Sequence, residues 1–108
     1  MKNKNKYNNK KVIYNGIKFD SKKEMNRYIY LSSDDSIKSL KTQVKYVLIP
    51  SIPKVQREIS YIADFVYEKD GKTIVEDVKS PSTAKDKVFL IKKKLFRWKY
   101  GFDITVFL

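Results

Sequence analysis

Two aspartates stand thirteen positions apart, Asp64 in Ile62-Ala63-Asp64-Phe65-Val66 and Asp77 in Val75-Glu76-Asp77-Val78-Lys79, on either side of an Asp70-Gly71 pair. Asp-Gly between two β-branched and aromatic runs signals a two-residue hairpin loop, because a type I′ turn needs φ > 0 at both central positions. With Asp70 and Gly71 as that loop, Lys69 faces Lys72, Phe65 meets Glu76 and Asp64 meets Asp77 across the ladder. Directly opposed side chains lie about 4.5–5.5 Å apart at Cβ, where two like charges destabilise a sheet. Something positive should sit between them. Side chains alternate along a strand, so Lys79 shares a face with Asp77 while Glu76 points the other way. The expected product is a carboxylate pair with an ammonium beside it. A loop of odd length would shift the register by one and bring Glu76 opposite Asp64 instead. The Asp-Gly turn and Lys79 both favour Asp77.

The rest of the composition narrows what such a pair can do. The chain contains no histidine and no cysteine, which removes Ser-His triads, histidine bases, His-ligated metals, thiolate zinc sites and disulfides. Catalysis must then run on carboxylates, lysine or a hard metal ion. Twenty-four basic residues against 12 acidic ones leave a formal net charge of +12 over 108 residues. A charge of that size favours solubility and attracts any polyanion, an anionic membrane included. Its distribution favours nucleic acid: Lys2, Lys4, Lys6, Lys10 and Lys11 crowd the N-terminus, and Lys85, Lys87, Lys92, Lys93, Lys94, Arg97 and Lys99 crowd one late helix. The plain alternative for those late lysines is a solvated helix face. No apolar run approaches the roughly 18 residues of a membrane span. The lysine- and asparagine-rich N-terminus does not read as a secretory signal, and the absence of cysteine agrees with a cytosolic location.

The elements that would hold these residues follow from local patterns. Residues 1–10 read as a flexible basic arm and 11–108 as one domain. Asn15-Gly16 marks a short hairpin within Val12–Phe19. Ser21 with Glu24 three residues later makes a capping box at the start of a helix that runs to about Leu31, with Met25, Tyr28 and Ile29 apolar. A turn over Ile37–Leu40 leads to a strand at Val44–Ile49, and Pro50 and Pro53 bracket a loop. After the Asp70-Gly71 hairpin and Pro81, a second helix fits Ala84–Lys99, with Val88, Ile91, Leu95 and Trp98 as its core stripe and Gly101 as its stop. Trp98 thus reads as core. Phe102–Leu108 reads as a last strand, parallel to a neighbour because a helix precedes it. The expected class is α/β, a central mixed sheet flanked by two helices with an N-terminal hairpin.

In that order, a Phe19-Asp20-Ser21 helix start with Glu24, a strand with Gln43, Ala63-Asp64-Phe65, then Asp77-Val78-Lys79 and a basic helix, the chain resembles the PD-(D/E)XK nuclease superfamily. It is similar in particular to small phage proteins akin to Holliday-junction resolvases and to transposon-end endonucleases. The resemblance spans Phe19 to about Val106 and implies a restriction-endonuclease-like core. It also implies a phage-encoded enzyme working in the bacterial cytoplasm. Asp64, Asp77 and Lys79 match the strand motif, and Glu24 matches the acidic residue of the first core helix. Gln43 matches a glutamine that precedes a proline in the transposon enzymes, although Val44 follows here. Ala63 stands where the superfamily's name has proline.

The resemblance implies Mg²⁺ or Mn²⁺ on Asp64 and Asp77, with Glu24 reaching the ion through water. Mg²⁺ takes oxygen ligands, commonly one or two carboxylates plus waters and phosphate oxygens. Lys79 would position the attacking water or neutralise charge on the phosphate. Expected partners are branched or duplex DNA, held by Lys10, Lys11, Gln43 and the late-helix cations. A homodimer through the C-terminal strand is also expected, since symmetric junction cutting needs two sites. Glu24 alternatively serves only its cap, and Asp77 and Lys79 a surface pair. The competing function is a non-catalytic nucleic-acid-binding or host-interaction module on the same fold. RNA binding has less support, because no aromatic motif of the RNA-binding type is present.

Overall fold

A computed structural model describes residues 10–108, so the expectations for Lys2, Lys4 and Lys6 lie outside the described residues. The chain opens with a short antiparallel hairpin of β1 (Val12–Tyr14) and β2 (Ile17–Phe19). Asn15 and Gly16 sit at its tip with φ of 51° and 76°, the left-handed pair that an Asn-Gly loop supplies. The helix α1 (Lys22–Ser33) follows, and Ser21 caps it by accepting the Glu24 N–H at 3.1 Å. Only half of the capping box forms. The Glu24 carboxylate accepts from the Asp20 N–H at 3.3 Å and from Gln43 Nε2 at 3.0 Å.

Four strands make the main sheet: β3 (Ile37–Ile49), β4 (Ile59–Lys69), β5 (Lys72–Val78) and β6 (Thr105–Phe107), in that spatial order. The first three are antiparallel neighbours, and β6 lies parallel to β5. The mixed α/β architecture with an N-terminal hairpin is therefore the one the patterns imply. The Asp70-Gly71 loop has φ of 54° and 75°, and the pairs Lys69–Lys72 and Phe65–Glu76 fall as the turn dictates.

Three local expectations need correction. The segment Ile37–Leu40 is not a turn, because β3 begins at Ile37 and pairs with β4 from Lys69 onward. Its positive-φ residues, Ser39 at 56° and Gln43 at 54°, kink the strand without ending it, and the register slips by one residue between Lys38 and Lys41. The second helix starts later than Ala84. A 3-10 turn over Thr83–Lys85 comes first, and Asp86 then caps α2 (Lys87–Tyr100) by accepting the Phe89 N–H at 3.1 Å. Gly101 ends it in the left-handed region, donating to the Arg97 carbonyl at 2.8 Å.

The third correction concerns which face of α2 meets the sheet. Phe89 and Phe96 are the buried residues, whereas Val88 and Ile91 are each 58% exposed and Trp98 76% exposed. Only Leu95 of the expected stripe packs partly on the core. Phe96 is fully enclosed by an aromatic cage, with ring centroids 5.2 Å from Tyr46, 6.1 Å from Tyr61, 4.7 Å from Tyr100 and 5.3 Å from Phe102. Phe89 and Phe96, seven positions apart, seat the helix on the sheet, and the rings that close around Phe96 fix its rotation. The core beneath α2 also takes Leu48, Ala63, Val75 and Ile104. A second cluster, Phe19, Leu31, Phe65 and Tyr67, joins the hairpin and α1 to the sheet.

Candidate functional site

The paired ladder of β4 and β5 ends at Phe65–Glu76, one step short of the expected Asp64–Asp77 pair. Beyond that pair a side chain takes over from the ladder: Asp64 Oδ2 accepts the Val78 N–H at 2.8 Å. The two aspartates still face one another. Asp64 is held above its ordinary value first by burial, then by the charge of Asp77 and a hydrogen bond shared with it, and then by Glu24. Glu24 is raised first by burial and next by the charge of Asp20, with Asp77 adding a smaller push. Glu24 and Asp77 are 3% and 4% exposed, so the cluster is sheltered rather than dispersed in water.

Lys79 supplies the nearby positive charge, as alternation along β5 requires. Its Nζ lies 3.2 Å from Asp77 Oδ2 and 4.2 Å from the centre of the Phe89 ring on α2. Lys23 anchors the same stretch of chain from α1, donating to the Lys79 carbonyl at 2.8 Å. These residues, with Gln43, line an open cleft of about 820 Å³ between the start of α1, the splayed ends of β4 and β5, and the first turn of α2. Lys92 of α2 also reaches this cleft.

Glu76, the rival of Asp77, belongs elsewhere. It is fully buried and takes a two-pronged contact from Arg27 of α1, Nε to Oε2 at 2.7 Å and Nη2 to Oε1 at 2.9 Å. The Tyr67 hydroxyl donates to the same Oε1 at 2.7 Å. This knot is not among the expected features, although Tyr67 and Glu76 are diagonal neighbours in the register set by the hairpin. A carboxylate between Phe65 and Ile74 on a buried face demands such a partner.

Tyr61 was missed too. It lines the cleft, and its buried hydroxyl lies near Asp77 and Asp64 without hydrogen-bond geometry to any described residue. Its pKa is raised, by burial first and then by the two aspartates.

The expected nucleic-acid cations divide by location. Lys92 sits at the cleft, while Lys85, Lys87, Lys94 and Arg97 are exposed on and before α2 and Lys93 is half-buried. Arg97 is paired with Asp103 at 2.7 Å, and Lys11 with Asp20 at 2.7 Å. Lys10 and Lys11 are exposed beside the N-terminal hairpin. Gln43 is drawn into the acidic cluster as the donor to Glu24.

Among the described residues no group of three or more His, Cys, Asp or Glu side chains is arranged to hold a metal ion by itself. Mg²⁺ does not require one, since waters and phosphate oxygens usually complete its shell. None of the helices formed by the described residues is long and apolar enough to cross a membrane. No curated protein matches the chain. A family model described as "Protein of unknown function (DUF1064)" matches residues 4–106, and the chain belongs to that family.

Proposed function

We propose that the protein is a metal-dependent DNA endonuclease of the PD-(D/E)XK kind that hydrolyses phosphodiester bonds, with a preference set by DNA structure rather than sequence. The observation that carries this reading is the convergence of Asp64 and Asp77 in one cleft with the Lys79 ammonium 3.2 Å from Asp77 Oδ2. The donor set fits Mg²⁺ or Mn²⁺: the oxygens are hard, and three acidic groups, Glu24, Asp64 and Asp77, gather around the ion pair of Lys79 with Asp77. Burial comes first in raising both Asp64 and Glu24, the neighbouring acidic charges add to it, and a divalent cation would offset that repulsion.

Asp64 and Asp77 would hold the ion, and Glu24 would approach it through water. When bound, the ion would polarise the scissile phosphate and lower the pKa of a water. The chain's own groups divide the remaining work. Lys79, propped on Phe89 and with its carbonyl held by Lys23, presents an ammonium where charge builds on the phosphate oxygens. Gln43 fixes the Glu24 carboxylate through the 3.0 Å hydrogen bond, so that Glu24 stays aimed at the cleft. Lys92 and the exposed lysines of α2 offer phosphate contacts, which position a polyanion without reading its bases.

A resolvase-like task, with two symmetric cuts, asks for two subunits. β6 is an outer strand of the sheet, so strand-edge pairing between copies is one way to form the dimer. Such an enzyme belongs in the cytoplasm of a phage-infected bacterium.

The test is cleavage of labelled four-way junction, flap, single-stranded and linear duplex DNA with Mg²⁺, Mn²⁺ or chelator, beside Asp77→Ala and Lys79→Ala. Metal-dependent cutting that both variants lose while still binding DNA is the expected result. Binding without cutting under every condition would replace the enzyme with a binding module.

A further inference from the structure

The outward meridian of α2 alternates cation and apolar residue: Lys87, Ile91, Lys94 and Trp98, spaced four, three and four positions apart. All four are exposed, Trp98 most of all among the large apolar side chains of the described residues. They lie opposite Phe89 and Phe96, the residues that seat the helix on the sheet. The helix needs none of them for packing. Ile91 at 58% and Trp98 at 76% exposure line up on one meridian between lysines, an apolar strip that the packing of the helix does not use.

The choice of occupant follows from charge. A second copy placed on this face would gather the lysines of two helices that carry no acidic residue, in a chain of net charge +12. An anion with apolar faces suits the pattern better. Single-stranded DNA is such a ligand, carrying phosphates for lysines and π-faces for an indole. Spacing agrees: Ile91 and Trp98 lie about 10 Å apart along the axis, roughly three stacked nucleotide steps. Continuity agrees as well, since Val88 and Lys92 of the same helix line the cleft that holds Asp64 and Asp77.

We infer that the outer face of α2 binds the unpaired stretch of a DNA strand entering the cleft, with Trp98 stacking on a base, Ile91 packing beside it and Lys87 and Lys94 holding phosphates. The substrate class is then DNA with bases out of the duplex, as at a branch, flap or fork. This rests on the nuclease reading for what happens in the cleft, and deepens it by naming which DNA is held.

Trp98 is the only tryptophan in the chain, so its fluorescence reports this face alone. In chelator, the full chain is titrated with an oligothymidylate, a blunt duplex of equal length and a splayed duplex, while labelled-DNA anisotropy records total binding. The single strand and the splayed duplex should quench Trp98, and the blunt duplex should bind with little quenching. Stacking on one base is worth about 1–3 kcal/mol, so Trp98→Ala should weaken single-strand binding by roughly 5- to 150-fold. Trp98→Phe should restore most of it, and blunt-duplex affinity should move far less.

Equal weakening for single strand and duplex, or absence of quenching by any DNA, overturns the inference. So does a Trp98 signal that changes with protein concentration alone, together with a dimer in sedimentation that Trp98→Ala dissolves. Cutting is scored separately, with Asp77→Ala as control. A chain that quenches on single strands but never cuts retains this face and refutes the nuclease reading, while one that cuts blunt duplex without quenching does the reverse.

Discussion

Replacing Asp64 with asparagine separates the charge of the acidic cluster from its shape. The Val78 N–H, which reaches Asp64 Oδ2 at 2.8 Å, keeps an acceptor in the amide oxygen, so the substitution removes ionisation above all. Burial and then the charge of Asp77 push Asp64 up from 3.8 to about 9, and burial and then Asp20 push Glu24 up from 4.5 to about 7. In the unfolded chain both ionise near their ordinary values. Between the ordinary and the raised values the folded protein therefore binds more protons than the unfolded one, and stability falls as pH rises. The contribution is fully present below about pH 4 and is lost as the pH climbs through the raised values.

Each unit of offset is worth about 1.4 kcal/mol. After a discount for solvent screening at the cleft mouth, the metal-free Asp64 carboxyl by itself costs the fold on the order of 2 kcal/mol near pH 8. For a chain of this size 1 kcal/mol moves the melting temperature by about 4–8 °C. Asp64→Asn should thus melt roughly 8 °C or more above the wild type near pH 8 without metal and lose that advantage near pH 4.5. A divalent cation at ten times its dissociation constant adds RT ln 11, about 1.4 kcal/mol, to the wild type alone. Thermal melts at the two pH values, in chelator and in MgCl₂, measure all four conditions. An Asp64→Asn protein destabilised equally at both pH values, or stabilised by Mg²⁺ as much as the wild type, would refute the reasoning.

Other expectations follow from single contacts. Arg27→Met strands the fully buried Glu76 carboxylate with only the Tyr67 hydroxyl, which should cost about 3–5 kcal/mol in urea denaturation. Adding Glu76→Leu should recover much of that loss, and a double variant no more stable than the single one would contradict the pairing. Gln43 holds a φ of 54° inside β3, so Gln43→Gly should be more stable than Gln43→Ala by about 1 kcal/mol. Both should slow DNA cutting by releasing Glu24, and cutting at the wild-type rate would remove Gln43 from the site. Duplex binding in chelator should weaken steeply with salt, a linear fall of log affinity on log salt whose slope drops by about 1 for Lys92→Ala. An unchanged slope would take Lys92 off the phosphate path.

Short-range rules carried much of the architecture. Asp70-Gly71 and Asn15-Gly16 each place two residues at positive φ, and a two-residue loop admits one register, so the Phe65–Glu76 pair and the nearness of Asp64 to Asp77 were legible in the chain itself. The same holds for the Ser21 cap and the Gly101 stop, which depend on bonds within one helical turn. Lys79 beside Asp77 needed only the two-residue alternation of a strand. Tertiary structure decided the features that compare distant alternatives. α2 offered two apolar stripes, and the aromatic cage built from β3, β4 and the segment after the helix closed on Phe96, which turned Phe89 inward with it and left Trp98 in water. Glu76 and Asp77 are adjacent and chemically alike, and the arrival of Arg27 from α1 made one structural and left the other for the cleft. Gln43 met Glu24 only because β3 continued through two kinks to reach the start of α1. Turn and cap energies are settled within a few residues, whereas burial compares whole surfaces that the chain brings together only on folding.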